Sequence, residues 1–403
     1  MELMPNSDII TLSIGRIVII RHGNQKQFFK LNDDNTMNPL SKEEMEVIHQ
    51  IFYPPKSPIK CVEVAWEIAK NNPTFSINQE GWRTVISNIE SVIPEDARNN
   101  FYRNLQSVQI EVTNEEETRK DTGTMRAGYY NPVENKLCFS EEALQLLKSM
   151  PLHDGSDGSV RALSIVVHEL LHMASSHYDK DTGIVRSGMD ILNTDGTSIS
   201  ANSALTEGIT ENLAALVVEK IIGKPMQQDV FEISGYQKQM LVAGQMQLLC
   251  NDDVLSDYFK AEGTTKTREK IKEYIANNEL SEEIVEEETN YLFSRIEDSY
   301  LLQQFEHEDN FSSSMPHLIQ NTMLTALSGK LDEYIQKGII STPEHLNDFC
   351  DIFQKKMLIS ENGVDSKKYP RVDGSKVSLD VKKQMLTSQL KQKGKKTEMD
   401  FEP

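Results

Sequence analysis

The stretch Ser164-Ile165-Val166-Val167-His168-Glu169-Leu170-Leu171-His172-Met173-Ala174-Ser175-Ser176-His177 decides how this chain is read. Apolar residues precede and interleave the pentad His168-Glu169-Leu170-Leu171-His172, which predicts a buried helix beginning near Ser159. On a helix, residues four apart stand one above the other on the same face. Two imidazoles placed so can reach one metal ion, each through a nitrogen about 2.0–2.1 Å from Zn²⁺. Glu169 adjoins the first histidine. It can reach a water on such an ion without being a ligand, which is where a general base is needed. The plainer reading is a core helix whose histidines bond backbone carbonyls.

A tetrahedral catalytic zinc needs a third protein ligand and one open position. The best candidate lies downstream in Ala204-Leu205-Thr206-Glu207-Gly208-Ile209-Thr210-Glu211-Asn212-Leu213. Asn202 and Ser203 are good N-cap types, and Ile209, Leu213, Leu216, Val217 and Ile221 give an apolar stripe, so a helix is expected here. Glu207 and Glu211 are four apart and share a face. One can bind metal while the other hydrogen-bonds a ligand histidine from behind. A solvated acidic face near a helix N-terminus is the alternative.

His168-Glu169-x-x-His172, followed by a helix reading Thr206-Glu207-Gly208-x-Thr210-Glu211, resembles the gluzincin metallopeptidases. The resemblance spans roughly residues 120–260 and is strongest in those two short helices. It implies that His168, His172 and Glu207 hold one Zn²⁺, that Glu169 activates water, and that Glu211 supports a ligand from the second shell. It implies an α+β fold as well: a zincin-like metallopeptidase domain with a small mixed sheet and active-site helices, joined to a helical C-terminal subdomain. The implied activity is hydrolysis of peptide bonds in a protein or peptide substrate. Two alternatives stay open. One is a non-catalytic or vestigial zincin-like protein that acts as a binding module. The other is a protease effector or toxin delivered into another cell.

Composition fits a soluble globular protein, and 403 residues allow two or three domains. The net charge of −20 argues against duplex nucleic acid or an anionic membrane as partner, since both repel an acidic surface. Cys61, Cys138, Cys250 and Cys350 are scattered with no CxxC pair, which points to reduced thiols rather than a cysteine zinc site. The opening Met-Glu-Leu-Met-Pro-Asn lacks a basic region followed by a long apolar run. The burst Ile17-Val18-Ile19-Ile20 is too short to span a bilayer. A cytoplasmic protein, or one exported without a cleaved signal peptide, is expected.

In chain order, 1–106 reads as an N-terminal hairpin (residues 9–31) and helical region, with helices at 41–52, 61–71, 79–92 and 95–106. Residues 107–262 read as the catalytic domain. Val108 to Val112 is a short strand. Met125 to Tyr130 and Lys136 to Phe139 are two more, turning through Asn131–Asn135. By the same resemblance, Gly128, Tyr129 and Tyr130 lie on an edge strand beside the metal. Such an edge can bind an extended peptide through its unpaired backbone groups. A helix is expected over 140–150, and Ile184 to Ile191 with Thr197 to Ile199 reads as a hairpin between the two metal helices. From Pro225 the chain reads as mainly helical. Tyr236 opens one of these helices and is the leading candidate for an oxyanion donor, because a phenol can hydrogen-bond developing negative charge. Residues 263–362 read as a helical subdomain with an acidic face at Glu282–Glu288. Residues 363–403 read as a polar, lysine-rich tail holding one short helix at 376–392.

Overall fold

The computed structural model describes residues 7–12, 15–22, 25–32, 36–41, 79–113, 128–141, 143, 157–179, 182–193, 198–200, 202–260, 263–276, 280–304, 315–356 and 383–391. The helices expected over 41–52, 61–71 and 140–150 lie outside these residues, save for isolated positions. By contact the chain divides into two units that interleave in sequence. The first comprises Met1–Gly188, Leu192–Thr197 and Leu213–Ile233; the second comprises Met189–Ile191, Ser198–Asn212 and Ser234–Pro403. Among the described residues no helix is long and apolar enough to cross a membrane.

The first unit opens with β1 (Ser7–Leu12), β2 (Gly15–His22), β3 (Gln25–Leu31) and β4 (Met37–Pro39), paired antiparallel in that order. The expected hairpin is its centre. Pairings Ser7↔Ile20 and Phe29↔Pro39 add a strand on either side, because Ile9, Ile10 and Leu12 form a strand of their own. Helix α1 (Gln79–Glu90) sinks Trp82, Val85, Ile86 and Ile89, a three-and-four spacing that makes one apolar stripe. Helix α2 (Arg98–Ser107) buries Phe101, Tyr102 and Leu105.

A three-stranded sheet follows: β5 (Gln109–Thr113), β6 (Gly128–Asn131) and β7 (Lys136–Ser140), in the order β5-β7-β6. Strand β5 runs parallel to β7, and β6 runs antiparallel to it. Within the described residues β6 is therefore an edge strand. The turn into β7 is held by Asn131, whose Oδ1 accepts from the backbone N of Val133 (3.0 Å) and Glu134 (3.2 Å). Asn135 completes it in the left-handed region at φ 49°, which asparagine tolerates better than most residues.

Helix α3 (Asp157–Ser175) carries the pentad. Val160, Leu163, Val166, Val167, Leu170, Leu171, Met173 and Ala174 are all buried, so it is apolar nearly all round and packs against α1, α2, β6 and β7. It passes without a loop into β8 (Ser176–Asp179), a strand the sequence did not announce. This strand pairs antiparallel with β9 (Ile184–Ser187). The single strand expected over Ile184–Ile191 is broken: Gly188 takes φ 58°, and a separate β10 (Asp190–Leu192) follows, then β11 (Ser198–Ser200). Helix α4 (Ser203–Ile222) starts where its N-cap residues place it. Its residues through Asn212 belong to the second unit, and those from Leu213 to the first. Helix α5 (Gln227–Ile233) packs on α3.

Beyond the strand residues of β10 and β11 that belong to it, the second unit holds α6 (Gln237–Cys250), α7 (Asp252–Lys260), α8 (Thr265–Ala276), α9 (Glu282–Gln304), α10 (Met315–Gln336) and α11 (Pro343–Gln354), with residues 383–391 also helical. Helix α8 packs against α6, α7, α9 and α10. Tyr258, Phe259, Ile271, Ile275, Met323 and Leu331 are fully buried in this unit. Asp257 is fully buried too, and its carboxylate caps α8 by accepting from the backbone N of Lys266 (3.1 Å) and Thr267 (2.7 Å). The glutamates at 282, 283, 286 and 287 are exposed, as a solvated acidic face requires.

Candidate metal centre

Helical spacing sets the first feature of the site. His168 and His172 stand one turn apart on α3, and their Nε2 atoms approach to 2.9 Å. The rings meet edge to face, with centroids 4.6 Å apart and planes inclined at 73°. Two nitrogens bound to one tetrahedral zinc would sit about 3.3 Å apart, given bonds of about 2.0–2.1 Å. The two ring nitrogens face each other at hydrogen-bonding distance, close to the separation that one shared ion would set. Glu169 adds a carboxylate: the ligand atoms of His168, Glu169 and His172 all lie within 4.8 Å of one another. His168 and Glu169 are buried and His172 is half-buried. Burial in an apolar helix strengthens electrostatic interactions at this point and is costly for polar groups without partners. Two imidazoles suit Zn²⁺, and a carboxylate beside them is near enough either to bind such an ion or to take a proton from its water.

Strand β6 lies against the same part of α3. A Cβ on Gly128 would meet Ile165 Cγ2 at 3.0 Å, Phe139 Cδ1 at 3.1 Å and the Cys138 carbonyl oxygen at 3.2 Å. Ile165 is three residues before His168, on the same helix face. Glycine is therefore what lets the edge strand approach the helix beside the histidines. Tyr129 is buried. Burial raises the Tyr130 hydroxyl well above the usual tyrosine range. That hydroxyl donates to Asn135 Oδ1 at 2.9 Å, so Tyr130 is anchored within the protein.

Glu207 and Glu211 stand in the second unit, both buried, on the first half of α4. Several groups fix this half-helix. Asn202 Nδ2 donates to the Met189 carbonyl (3.1 Å), and Thr206 Oγ1 accepts from Met189 N (3.1 Å). Asp190 accepts from Asn202 N (2.6 Å) and Ser203 Oγ (3.2 Å), while Glu297 Oε2 accepts from Ala204 N (3.0 Å). These two carboxylates accept from the backbone N–H groups of Asn202 and Ala204 and sit at the favourable end of the helix dipole. Burial pushes the Asp190 carboxyl up to about 7, and the nearby Glu297 and Glu207 push the same way. Burial also raises Glu297.

On the other side, α4 crosses α6 at Gly208. A Cβ there would lie 2.2 Å from the Gln239 carbonyl oxygen. Asn212 Nδ2 donates to the Met240 carbonyl at 2.9 Å. Glu211 Oε1 accepts from Ser234 Oγ at 3.0 Å, and the same hydroxyl accepts from Tyr236 N at 2.9 Å. Tyr236 is half-buried as the N-cap residue of α6, so its backbone is tied to Glu211 through one serine.

His177 and Tyr178 fall on β8, with Tyr178 exposed. Two residues that matter here were not singled out by sequence reasoning. Asn100 and Asn104 of α2 both donate to carbonyls at the C-terminal end of α3, those of Ala174 and Met173. Their signal was faint: two asparagines four apart inside a helix, where asparagine is a poor helix former.

Comparison of the chain with protein families, with curated proteins and with solved structures gives no match.

Proposed function

We propose that this chain is a zinc-dependent metalloendopeptidase. His168 and His172 hold the metal, Glu207 is the third ligand and Glu169 moves the proton. The observation that carries this reading is the 2.9 Å approach of the two imidazole nitrogens with the Glu169 carboxylate beside them. The role of Glu207 rests on the sequence pattern of α4, with Glu211 in support. Zinc held there would supply Lewis acidity, which polarises a carbonyl and brings the pKa of a bound water towards ~7. Glu169, with its carboxylate beside the two imidazoles, would take a proton from an attacking water and return it to the leaving amine. Strand β6 offers the peptide an edge to pair with. Tyr236 is the proposed donor to the developing oxyanion.

Glu169→Gln tests the assignment. The amide keeps the shape of the carboxylate but cannot take up the proton. Zinc content should stay at the wild-type level while chelator-sensitive cleavage of a generic peptide disappears. Cleavage retained by this variant would exclude Glu169 as the base. Zinc bound by four protein ligands, with no cleavage in the wild type, would favour a structural metal in a binding module.

A further inference from the structure

An α-helix leaves its last four carbonyls without donors of its own. Helix α3 ends with no glycine and no loop, since Ser175 is its last residue and Ser176 the first of β8. Its end is served from outside instead. Asn100 Nδ2 donates to the carbonyls of Ala174 (3.3 Å) and Ser176 (2.7 Å). Asn104 Nδ2, one turn further along α2, donates to the carbonyls of Met173 (2.7 Å) and Ser176 (2.7 Å). Ser176 Oγ donates to the carbonyl of His172 itself at 2.8 Å.

The same group reaches the edge strand. Asn135 Nδ2 donates to the Asn104 carbonyl (2.8 Å) and to Ser107 Oγ (2.9 Å), and Asn135 Oδ1 accepts from the Tyr130 hydroxyl (2.9 Å). Closing a helix end needs only a glycine or water. This arrangement does more, because it binds α2, α3 and β6 at one point, and one of its acceptors is the backbone of a pentad histidine.

We propose that Asn100, Asn104, Asn135, Tyr130 and Ser176 form a positioning cluster that sets where His172 stands relative to the edge of β6. The inference rests on the metal-centre reading above. No member touches the metal. The cluster acts through the backbone that aims the His172 ring, as supports behind metal ligands do.

The test uses the full chain with Co²⁺ as a spectroscopic probe and Zn²⁺ affinity from chelator competition. Asn104→Asp keeps the size of the side chain but cannot donate to the two carbonyls it faces. Tyr130→Phe removes only a hydroxyl. We expect Zn²⁺ affinity about 10-fold weaker in Asn104→Asp and a changed Co²⁺ d–d absorption. Tyr130→Phe should shift both in the same direction by less. Wild-type spectra and affinity in both variants would overturn the cluster and leave the centre standing. A wild-type chain that takes up neither ion would overturn the centre, and the cluster with it. If Asn104→Asp does not fold, Tyr130→Phe decides alone, and an unchanged spectrum there overturns the proposal.

Discussion

Single residues divide into those proposed to hold metal and the one proposed to move protons. His168→Ala removes one of two nitrogens that already face each other, so zinc should be lost. Glu207→Ala should lose zinc as well, and full occupancy in that variant would reject the third ligand. Glu211→Ala should only weaken binding, by about 10–100-fold, if it supports a ligand from behind. The reverse order of severity, measured by metal analysis after dialysis, would mean that the two glutamates have exchanged roles. The sequence made His168, Glu169 and His172 legible because their geometry follows from helical spacing alone, and α3 runs through all three. Asn100, Asn104 and Ser234 were not legible, because each acts across a gap in sequence that no local pattern reports.

At the scale of elements, the helix that carries Glu207 owes its seat to a missing side chain. Gly208→Ala would drive a methyl into the Gln239 carbonyl, with backbone on both sides of the clash. We expect a loss of about 3 kcal/mol, at the upper end of overpacking costs, read as a lower urea midpoint at constant m-value. An unchanged midpoint would mean that α4 and α6 do not cross so closely. Long periodic helices were readable from composition and caps: α4 begins at Ser203 and α6 at Gln237, beside the residues that flagged them. Short strands were not. Ile184 to Ile191 is apolar enough for one strand, but Gly188 turns the chain at a positive φ. Strand β8 was hidden because Ser176-His177-Tyr178-Asp179 has no alternating pattern, and only its pairing with β9 makes it a strand.

For the whole molecule, charge and burial combine into a dependence on pH. Burial raises Asp190 to about 7 and also raises Glu297 and Glu90. A carboxylate raised on folding keeps its proton in the folded state at pH values where the unfolded chain has lost it. The folded state then binds more protons, and stability falls as pH rises from about 4 towards 7. Each fully developed proton difference contributes about 1.4 kcal/mol per pH unit. The net charge of −20 acts in the same sense as carboxylates ionise. Glu286 and Glu333 are held below the usual range by Lys272 and Lys337, so their opposite contribution falls below about pH 4.5. The metal-free chain should therefore melt higher at pH 5 than at pH 7.5, and Asp190→Asn should flatten that slope. A stability that rises over this interval in the wild type would contradict the burial of these carboxylates. The most direct measurement of the central claim is the zinc content of the folded chain and of His168→Ala, taken by native mass spectrometry. One zinc per wild-type chain and none in the variant is the expected result. A folded wild-type chain that takes up no zinc, or a His168→Ala chain that keeps it, would contradict it.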